Sequence, residues 1–308
     1  MLKSFFKRSN QLVHMVFTES AIRMIEFKSI APLESKHTFH TPLPEGVIEK
    51  GRIIDLPLLE SIVEQCVAEW KIKHKKVQFI VPDPFVIIRQ IELKENLSEQ
   101  EIQGYLYMEL GNRIQLPFEE PVFDFVKLPS ESGKDLLIFA SPEDVVKSYR
   151  DLLEAAGLEP VTADISPLAL YRYYERYSEI REEDHLLILR FDKNQLTISI
   201  FHKGFPYFMR PIAFDKDGEE ESYGELYSEI TKILSFYRYS IQQGSGEISL
   251  LYLSGDWADL DAFAEGLRRE LNVEFQYPFQ PVYSEDDLEI VPDQFEIALG
   301  LGLKEVEA

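Results

Sequence analysis

The chain has 308 residues, 32 basic and 54 acidic, for a formal net charge of −22 at pH 7. At roughly 150 residues per domain this is about two domains or one two-lobed unit, and 45% hydrophobic with 12% aromatic content is a globular composition, not an acidic tail. So negative a field repels phosphate backbones and anionic lipid, which argues against nucleic acid or bulk membrane as partners, and the single cysteine, Cys66, excludes an internal disulfide and a thiolate metal cluster.

At the N-terminus Lys3, Lys7 and Arg8 form a basic patch too small to anchor a protein alone. The opening MLKSFFKRSNQ lacks the apolar core of a signal peptide, and no apolar run approaches the roughly 20 residues of a membrane span, so the chain is expected to be cytoplasmic without direct membrane insertion. Strand patterns follow at Leu12–Phe17 and Ala21–Lys28, then at Val77–Val81 and Phe85–Leu93, the latter pair broken by Pro82-Asp83-Pro84. Between them a helix from Leu56 carries Leu59, Ile62, Val63, Cys66, Val67 and Trp70 on one stripe, which makes Cys66 a buried structural thiol. Ser98 and Glu101 form a capping box ahead of Ile102, Tyr105, Leu106 and Glu109. A strand at Asp135–Ala140 leads into a helix opened by Ser141-Pro142 and stopped at Gly157, and Ser166-Pro167 opens another with Tyr171, Tyr173, Tyr174 and Tyr177. Glu182-Glu183-Asp184 reads as a solvated linker between two halves. The second half opens with strands at Leu186–Phe191, Leu196–His202 and Phe205–Ile212, then helices Tyr223–Ile241 and Leu260–Leu271 around a strand Ile248–Leu253, and a last helix from about Gln294 to Leu303.

The openings of the halves resemble each other. LVHMVFTESAIRMIEF from Leu12 aligns without gaps on LLILRFDKNQLTISIF from Leu186, with Phe17 on Phe191 and Phe27 on Phe201. Two lobes on one plan, each mixing strands with helices, make this an α/β chain. Motifs for other chemistries are missing: no G-x-x-x-x-G-K-[ST] loop, no H-E-x-x-H helix, and Gly300-Leu301-Gly302 lies on a helix, not after a strand. His37 and His40 are three apart on an extended segment, which sends them to opposite faces, so no metal is expected.

Several segments in order carry a resemblance: LPEGVIEKGRIID (Leu43 to Asp55), VQFIVPDPFVIIRQIEL (Val77 to Leu93), IQLPFEEPVFDFVKL (Ile114 to Leu128), AAGLEPVTADISPLALYR (Ala155 to Arg172), SEITKILSFYRYS, LLYLSGDWADLDAFAEGL and the terminal IALGLGLK. Together they resemble the PilM family of type IV pilus assembly proteins, relatives of the division protein FtsA in the actin-like superfamily. The resemblance implies a two-lobed actin-like fold: lobe 1 over residues 1–184 (core 1–82 and 129–184, with an inserted subdomain, 1C, at 83–128) and lobe 2 over 185–308. The stretch after Ile212 leaves no room for subdomain 2B, which is therefore expected to be reduced or absent. It also implies a cytoplasmic adaptor, recruited to the inner face of the cell membrane, that binds the short N-terminal tail of a PilN-like bitopic protein and other components of a pilus, competence or secretion machine; homo-oligomerisation stays open. The tail-binding groove is expected on lobe 1 beside the insertion, with Pro82, Phe85, Arg89, Tyr105 and Glu109 as its candidate residues.

Many actin-like proteins hold ATP between the lobes with a D-x-G turn on a hairpin from each. Here those positions fall on Val16 and Thr18 in the first turn and on Arg190 and Asp192 in the second, so neither glycine nor acid is in place. Asp192 puts a carboxylate where polyphosphate would sit, and Arg190 is read as the partner of a nearby acid. The family's G-G turn survives only as Gly255-Asp256, with Asp256 expected to cap the next helix and Trp257 to be buried. The expectation is a chain without cofactor and without catalytic residues; the alternative left open is a divergent ATPase binding Mg-ATP in the cleft, or a filament-forming scaffold.

Overall fold

The computed structural model describes residues 12–130, 132–192, 195–214, 220–244, 246–257, 259–271, 275–276, 283–284 and 291–305; the basic residues Lys3, Lys7 and Arg8 lie outside them. In chain order the first half comprises β1 (Leu12–Phe17), β2 (Ala21–Ile30), β3 (Leu33–Pro42), β4 (Ile48–Glu49), β5 (Arg52–Ile53), α1 (Leu56–Glu69), β6 (Lys76–Val81), β7 (Ile87–Glu92), α2 (Glu99–Glu109), β8 (Pro121–Lys127), β9 (Asp135–Pro142), α3 (Glu143–Ala155), β10 (Glu159–Ile165) and α4 (Ser166–Tyr177). The second comprises β11 (His185–Asp192), β12 (Gln195–His202), β13 (Phe205–Ala213), α5 (Glu220–Phe236), β14 (Leu250–Gly255), α6 (Leu260–Leu271), β15 (Phe275–Gln276), β16 (Tyr283–Ser284) and α7 (Glu296–Gly302).

Two large sheets, ordered β10-β6-β1-β2-β3-β16 and β13-β12-β11-β14-β15, carry the duplication. The residues of β1 and β6, and of β2 from Ala21 to Lys28, have counterparts 174 positions on in β11, β14 and β12, and the pairings agree: Phe17 faces Ile22 as Phe191 faces Leu196, and Leu12 faces Lys76 as Leu186 faces Leu250. Strands buried on both faces read as continuous apolar runs, which is what LVHMVF in β1 and LLILRF in β11 are. Alternation then sorts their side chains. Leu187, Leu189 and Phe191 pack under α5 and α6, while Leu186 and Ile188 turn to the other face, where α4 and α7 lie between the two sheets.

The terminal segment therefore does not stay with the second half. The chain of 185–308 returns to the first sheet: β16 pairs with β3, and α7 packs on α4, β1 and β2. Gly300 and Gly302 permit that approach, because a Cβ on Gly300 would lie 1.8 Å from the Ala169 carbonyl oxygen and one on Gly302 2.0 Å from the Phe27 ring. The insertion boundary shifts too. A three-stranded sheet, β7-β9-β8, packs α2 through Ile102, Leu106, Leu136 and Ile138. Its central strand is β9, so the small unit runs from residue 87 to 142 and a boundary at 128 would remove its middle. Glu182 and Glu183 are solvated, but Asp184 is buried and bound by Arg181 (3.0 Å) and Ser249 (3.0 Å), so the junction is a fixed turn and not a linker. Between β13 and α5 lie only residues 214–219.

Local signals work at the helix starts. Asp55 accepts from the Leu58 amide at 3.0 Å to cap α1, and Glu101 accepts from the Ser98 amide at 2.8 Å ahead of α2. Cys66 is buried, its thiol pushed up by that burial, as an inert core thiol should be.

Candidate functional site: the interlobe cleft and the first-lobe groove

The ends of the two equivalent hairpins, β1–β2 and β11–β12, border one cavity of about 400 Å³ lined by Thr18, Glu19, Asp83, Ser166, Asp192 and Gln195 among others. In the first turn the Thr18 hydroxyl accepts the amides of Ser20 (3.3 Å) and Ala21 (3.1 Å). Two N–H groups that a phosphate could have used are thus satisfied inside the turn. Val16 is apolar and buried beneath it.

In the second turn Arg190 lies on β11, 2% exposed, with Nη1 3.4 Å from Glu296 Oε2 of α7 and 3.5 Å from Ser254 Oγ. Tyr174 of α4 donates to the same glutamate at 3.2 Å. Asp192 lines the cavity with one carboxylate oxygen buried and unpartnered. Burial pushes its carboxyl up to about 6, with Asp256 adding to the rise, Arg23 and Arg190 opposing it, and Asp83 adding again. Asp83, at the turn between β6 and β7, accepts from Thr197 (2.6 Å) and Ser166 (2.7 Å), and burial raises its carboxyl despite those bonds and Arg190.

Gly255 is the retained glycine of the adenosine-side motif, and its conformation has a packing cause. Its φ is +139°, and a Cβ there would lie 2.0 Å from the Phe191 carbonyl oxygen. Asp256 does not cap α6, which begins at Leu260. Its carboxylate instead crosses to β2 and pairs with Arg23 at 2.5 Å. Trp257 stacks on Phe191 at 4.8 Å within the aromatic cluster of the second half.

The five groove residues do not converge. Pro82 and Phe85 sit beside the β4–β5 hairpin, where Gly51 (φ +77°) lets the hairpin close to 2.6 Å of Pro82 for an added Cβ, and Arg52 lies 4.8 Å over the Phe85 ring. Arg89 is on β7, exposed, donating to the Gln115 carbonyl. Tyr105 is half-buried on the α2 core, and Glu109 meets Arg113 at 3.5 Å while its other oxygen is buried and unpartnered. They form two groups, one at the first sheet and one on the small unit. The outward residues of α2 are Tyr107 and Met108, 80% and 69% exposed; the i, i+4 run Ile102-Leu106-Leu110 marks the buried face and could have assigned them to solvent.

Sequence reasoning also missed Arg23, Asp83, Thr197 and Glu296. The gapless alignment held a signal for two of them. Arg23 and Thr197 are equivalent positions, opposite Val16 and Arg190 respectively, so each hairpin carries one arginine toward the cleft on alternate strands. Among the described residues no helix is long and apolar enough to cross a membrane.

Known proteins place this architecture. A solved PilM–PilN type IV pilus biogenesis complex is similar over 97% of this chain and 99% of that one, at 22% identity and a TM-score of 0.79. The ethanolamine utilization protein EutJ from Carboxydothermus hydrogenoformans (12% identity, 94% of this chain and 88% of that one, TM-score 0.54) and a Bacteroides thetaiotaomicron protein with an actin-like ATPase fold (10%, 97% and 98%, 0.53) share the fold. The family model described as type IV pilus assembly protein PilM matches residues 16–220, two thirds of the sequence. With two hairpin-led sheets around a common cleft, the chain has the actin-like fold and belongs to the PilM family of type IV pilus assembly proteins.

Proposed function

We propose that this chain is a PilM-type adaptor that grips the short cytoplasmic N-terminal tail of a PilN-like inner-membrane protein, is held at the membrane's inner face through it, and does so without turning over ATP. The partner half of this reading is supported by the whole-length likeness to the PilM of a PilM–PilN complex. Such a tail, bound in extended form, would bury a few apolar residues while backbone groups fix its register. The surface from Pro82 and Phe85 to Arg89 and α2, where we place that tail, offers rings, a guanidinium and the edge-strand backbone of β7 for that purpose.

The observation that carries the nucleotide half is the charge in the cleft. The residues present do not suit a polyphosphate. Thr18 takes two amides of one turn, and the second hairpin offers the carboxylate of Asp192, with Asp83 lining the same cavity. Two like charges a few ångströms apart in a partly desolvated site cost several kcal/mol, by order of magnitude. Arg190, which occupies the position of the D-x-G acid, has Glu296 as its partner.

The test is binding of a labelled peptide copying the partner's N-terminal tail, followed by fluorescence anisotropy. Saturable binding should weaken by about tenfold or more in Phe85→Ala and in Arg89→Ala, with the unfolding midpoint of Arg89→Ala unchanged. Equal affinity in both variants would remove this surface from the proposal.

A further inference from the structure

The cleft holds more charge than an inert interface needs. Among the described residues, four carboxylates, Asp83, Asp192, Asp256 and Glu296, stand against two guanidiniums, Arg23 and Arg190. Three contacts tie one half of the molecule to the other: Arg23 of β2 to Asp256 beyond β14, Asp83 to Thr197 of β12, and Arg190 of β11 to Glu296 of α7, the helix seated on the first sheet. Arg23, Arg190, Thr197 and Glu296 are each 2–3% exposed, so these are desolvated contacts rather than surface pairs. Asp192 sits among them with an oxygen that nothing satisfies.

We propose that these side chains form a built-in clamp across the cleft, and that Asp192 is its proton-sensitive member: protonated, it lets the clamp close; ionised, it adds a charge that the two arginines cannot balance and loosens it. The inference stands on the cluster alone and does not require the partner reading.

The direction follows from the environment. The closed form holds the Asp192 proton more tightly than an opened, solvated one, with the carboxyl at about 6 against an ordinary 3.8. Closure therefore gains as pH falls through about 6 and the gain is complete below the ordinary value. Among the described residues, the charged groups acting on Asp192 are Arg23 on β2 with His40 opposite it on β3, Asp83 at the turn after β6, Arg190 on β11 and Asp256 after β14; Glu296 of α7 meets Arg190, and Glu19 and Lys50 lie on the wall of the same cavity. Asp83 shifts in the same sense as Asp192. His40 is pulled down by burial, Arg23 adding and Asp256 opposing, so its charging would act against closure on acidification.

Trp257, stacked on Phe191 next to Asp192, reports on the cleft. In the full chain with Trp70→Phe, acrylamide quenching of Trp257 should rise severalfold from pH 5 to pH 7.5 with a midpoint near 6. Adding Asp192→Asn should hold quenching at the low-pH level throughout, and adding Asp256→Asn, a mild break at the partly exposed end of the Arg23 pair, should raise it at every pH. His40→Gln should leave the midpoint in place. A pH profile that survives Asp192→Asn, one that disappears with His40→Gln, or no profile in the parent would each overturn the proposal.

Discussion

Replacing Arg190 separates a structural arginine from a phosphate ligand. At 3.4 Å and an effective dielectric of about 20 the gross attraction between Arg190 and Glu296 is about 5 kcal/mol, most of it offset by taking both groups out of water. Arg190→Met leaves Glu296 buried at 2% exposure without its guanidinium, the Tyr174 hydroxyl still donating to it. Stranding a buried charge in this way costs about 3–5 kcal/mol. At about 2 °C per kcal/mol for a chain of this size, the unfolding midpoint should fall by about 6–10 °C. Adding Glu296→Gln removes the stranded charge and keeps an acceptor for Tyr174, so the double variant should recover to within about 1 kcal/mol of the parent. The assay is a double-mutant cycle by urea unfolding at pH 7, with Mg-ATP titrated into each variant. Single and double variants equally destabilised would refute the pairing argument. A stable Arg190→Met protein that has lost nucleotide binding would assign Arg190 to a ligand instead.

Other consequences are simpler to read. Gly300→Ala should destabilise by more than about 3 kcal/mol and reduce soluble yield, since its Cβ would fall 1.8 Å from backbone at the α4–α7 crossing, whereas Gly104→Ala, with nothing within 4 Å on exposed α2, should stabilise by about 0.5–1 kcal/mol. His14 is buried against Gln78 and Phe27, and burial lowers it from 6.5 to about 4, the Gln78 bond opposing. Its contribution is therefore full above the ordinary value and is lost as pH falls from 6.5 toward 4, by up to about 3 kcal/mol. Unfolding free energies at pH 7 and pH 4.5 should differ less in His14→Gln than in the parent. That loss on acidification has the opposite sign to the Asp192 effect, so the two substitutions bend the pH profile in opposite directions.

The parts of the fold readable in the sequence were those written in local chemistry. Hairpins with continuous apolar strands, the Asp55 and Ser98 caps and the Ser-Pro helix starts all fall where their residues indicate. The three longest of the missed strands share a reason. In β3 (LESKHTFHTP), β8 (PVFDFVK) and β10 (EPVTADI) most residues are polar or half-exposed, so no apolar run or clean alternation marks them, and partners far along the chain decide their conformation. The return of α7 to the first sheet was hidden because a helical stripe says that a face is buried without saying against what. At the cleft, the turn positions Thr18 and Asp192 were legible through the resemblance. The neighbouring cleft residues Arg23, Asp83 and Glu296 were not, because pairing between residues up to 233 positions apart leaves no local pattern.

On the proposed reading, a PilM-family chain holds its partner's tail without nucleotide, the carboxylates of Asp83 and Asp192 lining the cleft where polyphosphate would sit. The most direct measurement is a calorimetric titration of the purified full chain with the partner's N-terminal tail peptide, repeated in millimolar Mg-ATP and Mg-ADP, with each nucleotide also titrated alone. The account predicts one tail affinity under all conditions, and no heat and no thermal stabilisation from either nucleotide. Saturable nucleotide binding at micromolar concentration, or a tail that binds only in its presence, would contradict it and assign a working phosphate site to the altered turns.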